Sequence, residues 1–191
     1  MPTTAQLDRL SQAVLANPVL RPILASWHDV GLPDAWLAAG AIAQSAWNQA
    51  HGQSPGYGIS DIDLVYFDDG DLSAEAERAH EVRINRRFAN AGVPIDAKNE
   101  ARVHLWYEAR FSAAIAPYDS IESAIATFPT TAGAIGVRPG ATSLDICAPF
   151  GLDDLLNLVV RPNKVQITRE IYEAKVARWR ELWPELTVIH W

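Results

Sequence analysis

The chain has 191 residues, 49% of them hydrophobic, and a formal net charge of −7 at pH 7. This length and composition are typical of one compact domain and exclude a disordered chain. The net negative charge argues against a large nucleic-acid-binding surface, which normally needs a basic face. The single cysteine, Cys147, excludes an internal disulfide framework and argues against a zinc cluster.

No apolar stretch reaches the length needed to span a membrane, because Pro18, Arg21 and Pro22 interrupt the best early candidate. The N-terminus shows no basic region followed by an apolar segment, which is the pattern of a secretory signal. We therefore expect a cytoplasmic protein without a membrane partner.

The first quarter of the chain has the pattern of two helices, a strand, a turn and a third helix. Hydrophobic spacing predicts helices over residues 6–17 and 19–30. A short apolar run from Trp36 ends at Gly40, and a helical pattern follows until Gly52, a typical C-terminal cap. The free N–H groups at the start of a helix after such a turn can bind a phosphate. The alternative is that Gly40 serves only a tight turn.

The stretch from Gly58 to Phe67 carries two carboxylates, Asp61 and Asp63, within an apolar and aromatic run that predicts a β-strand. Because strand side chains alternate, both carboxylates project from one face, and the apolar residues take the other. Two neighbouring like charges are costly to bury unless a cation lies between them, commonly a divalent ion with oxygen ligands. The pair predicts a metal site; the alternative is a solvated strand end.

Helices and strands alternate through the rest of the chain. A polar helix is predicted over residues 73–90, with Ser73 as its N-cap, and a short strand over residues 93–97. Asn99 and Glu100 are candidate caps of the next helix. The remaining predicted elements are helices over residues 101–106, 120–128 and 151–159, a β-hairpin formed by residues 132–137 and 143–147, and a helix from Thr168 to Trp183.

Residues 161–180 carry a local net charge of +4, with six basic and two acidic side chains. Most of this segment belongs to the predicted helix that begins at Thr168. Its basic residues commonly form the solvated face of a packed helix. The alternative is binding of a polyanion such as tRNA.

In this order, the motifs resemble the polymerase-beta-like nucleotidyltransferase superfamily, whose signature is a strand, a glycine turn, a helix and a strand carrying two alternate aspartates. More closely, the chain resembles a bacterial family of predicted nucleotidyltransferases of unknown substrate. The resemblance covers about residues 10–187. Gly40-Ala41 replaces the usual Gly-Gly or Gly-Ser, and residues 51–59 form an insertion. The matching segments are Ala39–Ile42, Trp47-Asn48, His51-Gly52, Ser60–Asp68, Asp96–Trp106, Ala148–Leu155 and Val160–Pro162.

The resemblance implies an α/β (α+β) fold in which a small mixed central sheet is flanked by helices, with an extra C-terminal hairpin and helices. We expect one domain over residues 1–191, with its core at about 34–106 and the C-terminal hairpin and helices at about 118–187.

The resemblance also implies an enzyme that transfers a nucleoside monophosphate from an NTP to an acceptor hydroxyl, with two Mg²⁺ (or Mn²⁺) ions. It implies Asp61, Asp63 and Asp96 as catalytic residues and metal ligands. The alternative for Asp96 is an exposed ion pair with Lys98 on the same strand face. The expected nucleotide-binding residues are Gly40, Ala41, Ser60, Lys98 and Arg102.

The acceptor is left open by the sequence, as a small molecule, a protein or an RNA end. Two further functions stay open, because a fold does not fix a function. One is a non-catalytic sensor that binds a nucleotide and a metal ion, and the other is an interaction protein, for example half of a toxin–antitoxin-like pair.

Overall fold

A computed structural model describes residues 1–191 as a mixed sheet flanked by helices. No helix combines the length and the apolar character needed to cross a membrane. The helices are α1 (Thr4–Ala16), α2 (Arg21–Ala25), α3 (Ala39–Ala50), α4 (Ala74–Arg87), α5 (His104–Phe111), α6 (Ile121–Ile125), α7 (Asp153–Leu156) and α8 (Arg169–Leu182). The strands are β1 (Trp36–Ala38), β2 (Ile62–Tyr66), β3 (Ile95–Asn99), β4 (Gly136–Pro139), β5 (Leu144–Cys147), β6 (Val159–Val160) and β7 (Thr187–Val188).

The central sheet has five strands in the order β3-β2-β1-β4-β5. Strands β2 and β3 are parallel, and α4 connects them along the chain, as a parallel pair requires a crossover. The other neighbours in this sheet are antiparallel, and β4 and β5 form the predicted hairpin, although β4 begins at Gly136 and not at residue 132. Strands β6 and β7 form a separate parallel pair. The small mixed sheet expected from the sequence is therefore confirmed.

The side chains of β2 alternate between two apolar clusters, one on each face of the strand. Ile62, Leu64 and Tyr66 are buried in the larger cluster, as the alternation predicts. Val65 belongs to the smaller cluster, which includes apolar side chains of β1 and α6. Asp63 lies at the same parity as Val65, so strand pleating places its carboxylate on the face away from the main core.

Asn48 of α3 joins three parts of the chain through buried hydrogen bonds. Its side-chain N–H₂ group donates to the carbonyls of Pro55 and Tyr57 at 3.0 and 2.8 Å. The indole N–H of Trp183, at the end of α8, donates to Asn48 Oδ1 at 2.7 Å. Trp47 packs edge-on against Trp183, with the ring centroids 5.5 Å apart. These contacts hold α8 and the 53–58 segment against α3.

The predicted helix over residues 19–30 is wrong in its length. Helix α2 begins with Pro22 in its first turn, a favourable position for proline, and ends at Ala25. Ser26 then leaves the helical region, with φ −121° and ψ 40°, and a separate 3₁₀ turn follows over Trp27–Asp29. The hydrophobic spacing continues through the break, which is why the sequence pattern did not show it.

Two other helices also begin or end differently from the predictions. The predicted helix over residues 151–159 is only α7, since Leu158 takes a left-handed φ of +61° and β6 follows. Asn99 does act as a cap, but of a 3₁₀ turn, and α5 begins later and continues to Phe111. The predicted N-caps Ser73 and Thr168 are confirmed, since each hydroxyl accepts a backbone N–H of its own helix.

Candidate active site

The parallel pairing of β2 and β3 places Asp63 and Asp96 side by side, because these two residues are register partners. Asp96 Oδ1 lies 2.5 Å from the Lys98 ammonium, which also contacts Glu81 at 3.2 Å. The structure thus contains the ion pair that the sequence offered as the alternative role of Asp96. Both side chains are more than one third exposed, so this pair contributes little to stability.

The pKa of the Asp63 carboxylate is raised above its ordinary value. Burial raises its pKa to about 6, and the negative charges of Asp61 and Asp96 act in the same direction. The Lys175 ammonium and a hydrogen bond from the Gly40 N–H lower the pKa and partly offset this rise. An additional positive charge close to an ionised Asp63 would therefore be stabilised.

The turn before α3 is built differently from the prediction. The left-handed residue is Ala39, with φ +54°, and Gly40 already lies inside the first turn of the helix. The Ala39 N–H donates to the carbonyl of Ile135 at 2.9 Å, which holds this bend. The sequence therefore predicted the correct place for the bend but the wrong residue. The bend presents the first residues of α3 to the carboxylate of Asp63.

A polar cleft of about 320 Å³ lies between the start of α3, the start of β2 and helix α8. We call it the polar mouth. Arg178 projects from α8 into this cleft, and its guanidinium lies 3.5 Å from the Ser60 hydroxyl, which donates to Asp61 at 2.5 Å. Its lining residues are Gly40, Ala41, Gln44, Asp61, Asp63, Ala174, Lys175, Arg178 and Trp179.

A second cavity, of about 390 Å³, also borders Asp63. We call it the aromatic pocket, because five aromatic side chains line it. Asp63 and Lys175 border both the polar mouth and this pocket. The aromatic side chains are Trp106, Tyr107, Phe111, Tyr118 and Phe128, and the charged or amide side chains are Asp63, Asp96, Lys98, Glu100, Arg110, Gln166 and Lys175.

Glu100 is a site residue that sequence reasoning did not find, since it was considered only as a helix cap. It follows β3, lines the aromatic pocket and is 7% exposed. Burial raises its pKa to about 8, and the nearby charges of Asp63, Glu77 and Asp96 add to this effect. No sequence signal distinguishes Glu100 from an ordinary polar residue, because only the fold brings it close to Asp63.

The predicted nucleotide-binding residues are placed in different environments. Gly40, Ala41 and Lys98 border the two cavities, whereas Arg102 belongs to neither. Its guanidinium donates to Glu77 at 2.6 Å and to the Leu72 carbonyl at 3.1 Å, and the residue is buried. Contact between Arg102 and a nucleotide therefore stays a prediction.

Lys175 and Arg178 were also missed as site residues, although the sequence carried a signal for them. They belong to the segment with a local charge of +4, and they lie three residues apart on α8, on one face of the helix. The fold separates this segment into two groups. Lys175 and Arg178 line the polar mouth, whereas Arg180 lies in a different groove beside Trp191.

The side chains around Asp63 suit a hard divalent cation, because Asp61 and Asp63 both offer carboxylate oxygens and the charge of Asp61 raises the pKa of Asp63. No group of three or more His, Cys, Asp and Glu side chains converges as a metal site in the chain. Asp96 could join Asp61 and Asp63 as a third carboxylate ligand only if it gave up its contact with Lys98. The binding of Mg²⁺ here stays a prediction.

A sequence profile of a family described as nucleotidyltransferase matches residues 25–188. The chain belongs to this nucleotidyltransferase family. Among solved structures, it is similar to an NMR structure whose description says that it reveals a CCA-adding enzyme head domain. The two chains share 28% identity over 95% of each, with a TM-score of 0.77. No curated protein sequence matches the chain significantly. Family and structural similarity together confirm the nucleotidyltransferase fold.

Proposed function

We propose that this nucleotidyltransferase transfers a nucleoside monophosphate from an NTP to the hydroxyl of a small molecule, a protein or an RNA end. One observation carries the proposal. The polar mouth brings two carboxylates, the start of a helix and two cationic side chains to a single cleft. This combination suits a triphosphate bound together with a cation.

The positive groups of the polar mouth would bind the triphosphate. Backbone N–H groups at the start of α3, beside Gly40 and Ala41, can donate to phosphate oxygens and carry the positive end of the helix dipole. Arg178 offers a planar fork for two phosphate oxygens, whereas Lys175 offers a point charge close to Asp63. This assignment orients the triphosphate so that its α-phosphate, where the reaction occurs, lies near Asp63.

The carboxylates would organise the transfer step. Asp61 and Asp63 would hold Mg²⁺, which stabilises the charge on the attacking and leaving oxygens. Asp96, released from Lys98, orients the acceptor hydroxyl and takes its proton. The acceptor oxygen forms a bond to the α-phosphorus while the bond to the bridging oxygen of the β-phosphate breaks, and pyrophosphate leaves.

Calorimetric titration of each NTP with Mg²⁺, into the wild type and into Asp61→Asn/Asp63→Asn, tests the proposal. We expect the wild type to bind at least one NTP only when Mg²⁺ is present, and the double variant to bind it at least about tenfold more weakly. Asp69→Asn is the matched control, because this aspartate is exposed and lies in neither cavity.

Transfer itself needs a second measurement, with an NTP labelled at the α-phosphate and a set of acceptors of the three classes. Label that appears on an acceptor, together with released pyrophosphate, supports the transferase. Metal-dependent binding without transfer would favour the non-catalytic sensor. If folded wild-type protein bound no NTP, the proposal would be wrong and the interaction protein would become the better hypothesis.

A further inference from the structure

Glu100 has an unusual environment for a carboxylate. It is 7% exposed, and its side chain makes no hydrogen bond or ion pair within the chain. The buried side-chain atoms that lack a partner are Gln44 Oε1, Trp47 Nε1 and His104 Nδ1, so the oxygens of Glu100 still reach the open space of the aromatic pocket. A carboxyl group that is almost wholly buried and makes no hydrogen bond within the chain is costly unless solvent or a ligand supplies its partners. Its position in a cavity points to a ligand that supplies the missing hydrogen bonds.

The walls around Glu100 suit a flat ring. Trp106, Tyr107 and Phe111 pack together on α5, with the Tyr107 and Phe111 ring centroids 4.6 Å apart. The pocket volume of about 390 Å³ is within the usual range for small-molecule sites. Aromatic side chains bind the faces of nucleobases by stacking.

Gln166 is a second polar residue of the aromatic pocket, and its contacts indicate which groups the edge of a bound ring would carry. The Tyr118 hydroxyl donates to Gln166 Oε1 at 2.7 Å, and the Tyr107 hydroxyl donates to the Gln166 carbonyl at the same distance. The side-chain N–H₂ group of Gln166 has no acceptor within the chain. The aromatic pocket therefore offers both a carboxyl group and an amide donor to a ligand.

We propose that the aromatic pocket binds the base of the donor nucleotide, and that Glu100 and Gln166 make guanine the preferred base. This inference rests on the proposed nucleotidyl transfer, because it assigns the donor's triphosphate to the polar mouth and its nucleoside to the second cavity that borders Asp63. Guanine presents two adjacent N–H donors and a carbonyl oxygen on its pairing edge. The carboxylate of Glu100 accepts from both donors, and the amide of Gln166 donates to the carbonyl oxygen.

The other bases fit this arrangement less well. Adenine presents an amino group where guanine has its carbonyl oxygen, so this group faces the N–H₂ of Gln166. Cytosine likewise presents an amino group beside a ring acceptor, and uracil has one N–H between two acceptors. A site that is built for particular hydrogen bonds rejects ligands that leave its buried groups unpaired. Two N–H donors from guanine would stabilise the ionised form of Glu100, because hydrogen bonds to a charged group favour its charged state.

The test uses nucleoside monophosphates without a divalent cation, so that the base contributes while the triphosphate contacts are absent. Calorimetry of GMP, AMP, CMP and UMP with the full chain should give GMP an affinity at least about tenfold above that of AMP. Glu100→Gln places an N–H₂ group against the guanine donors and should bring the two affinities within about threefold of each other. Glu108→Gln, an exposed glutamate on the same helix as Trp106, should leave the preference unchanged.

Equal affinity for all four monophosphates, or a preference for GMP that survives Glu100→Gln, would overturn the inference. If circular dichroism shows that Glu100→Gln does not fold, Gln166→Leu tests the same pocket, because loss of the amide should also weaken GMP selectively. NTP binding that depends on Mg²⁺ and on Asp61 but ignores the base would refute the base pocket and leave the transfer proposal intact. Selective GMP binding without any Mg²⁺-dependent NTP binding would support the pocket and contradict the transferase.

Discussion

The polar mouth and the aromatic pocket share Asp63 and Lys175 but have linings of opposite chemical character. The polar mouth relies on charge and on backbone N–H groups at the start of a helix, which suit an anion of variable shape. The aromatic pocket relies on flat apolar walls and a carboxyl group without a partner, which suit a ring with a defined edge. A single strand residue, Asp63, can therefore lie where the charged and the flat parts of one ligand meet.

The two cavities also differ in how they are assembled. The polar mouth lies between α3 and α8, which are distant in the sequence and held together through Asn48. The aromatic pocket also borders α8 through Ile171 and Lys175, but its Glu100 and Trp106 lie on the segment that directly follows β3. Loss of the contact between α3 and α8 should thus damage the polar mouth first.

The largest expected effect is that of Asn48→Ala. The variant leaves the buried Trp183 indole N–H without an acceptor and removes two donors from backbone carbonyls. We expect the free energy of unfolding, measured by urea denaturation, to fall by about 3 kcal/mol. At temperatures where the variant is folded, NTP binding should weaken more than GMP binding. Asn90→Ala, at an exposed site, is the control, and a loss below about 1 kcal/mol would contradict the role of Asn48.

Asp63→Asn should have a smaller and opposite effect on stability. The pKa of Asp63 is raised from 3.8 to about 6, so the folded state binds its proton more tightly than the unfolded state does. The contribution of this group to stability therefore falls as the pH rises from about 4 through about 6. Asn does not ionise, and the variant should be more stable than the wild type by about 1–2 kcal/mol at pH 8, with no such gain at pH 4.

Thermal denaturation in the absence of divalent cations measures this difference, with Asp69→Asn as the exposed control. A variant that is less stable than the wild type at both pH values would show that the negative charge of Asp63 does not destabilise the folded protein. Either result informs the comparison of the two cavities, because the polar mouth is the one in which we expect excess negative charge.

The smallest expected effect is that of Arg178→Met, and it distinguishes the roles of the two cavities most clearly. Arg178→Met removes a phosphate-binding guanidinium from the polar mouth but touches nothing in the aromatic pocket. We expect the affinity for a bound NTP to fall about tenfold and the affinity for GMP to stay the same. Arg180→Met is the matched control on the same helix, because Arg180 lies in a different groove. Equal losses for both variants would indicate a general effect of charge.

Local rules explain which parts of the fold could be predicted from the sequence. The alternation along β2, the caps at Ser73 and Thr168 and the β4–β5 hairpin are confirmed, because each depends on neighbours in the chain. The helix over residues 19–30 is wrong, because hydrophobic spacing does not detect a break such as the one at Ser26.

The candidate site was predictable only where its residues share a motif. Asp61 and Asp63 lie two residues apart, so a local pattern identifies them, and their metal-binding role stays a prediction. Glu100 and Arg178 reach the same region from segments far apart in the sequence. No local pattern records that convergence, which is set by the pairing of β2 with β3 and by the packing of α8.

The left-handed backbone of Ala39 has a consequence for the size of the ligand that the protein admits. A residue with a Cβ atom is strained in this conformation by about 1–2 kcal/mol, and a branched side chain would be strained further. Ala39 also borders the aromatic pocket, next to the residues that begin α3. A side chain larger than the methyl group of Ala39 would therefore strain the bend and would also take up space at the edge of the aromatic pocket, which limits the ligand that fits there.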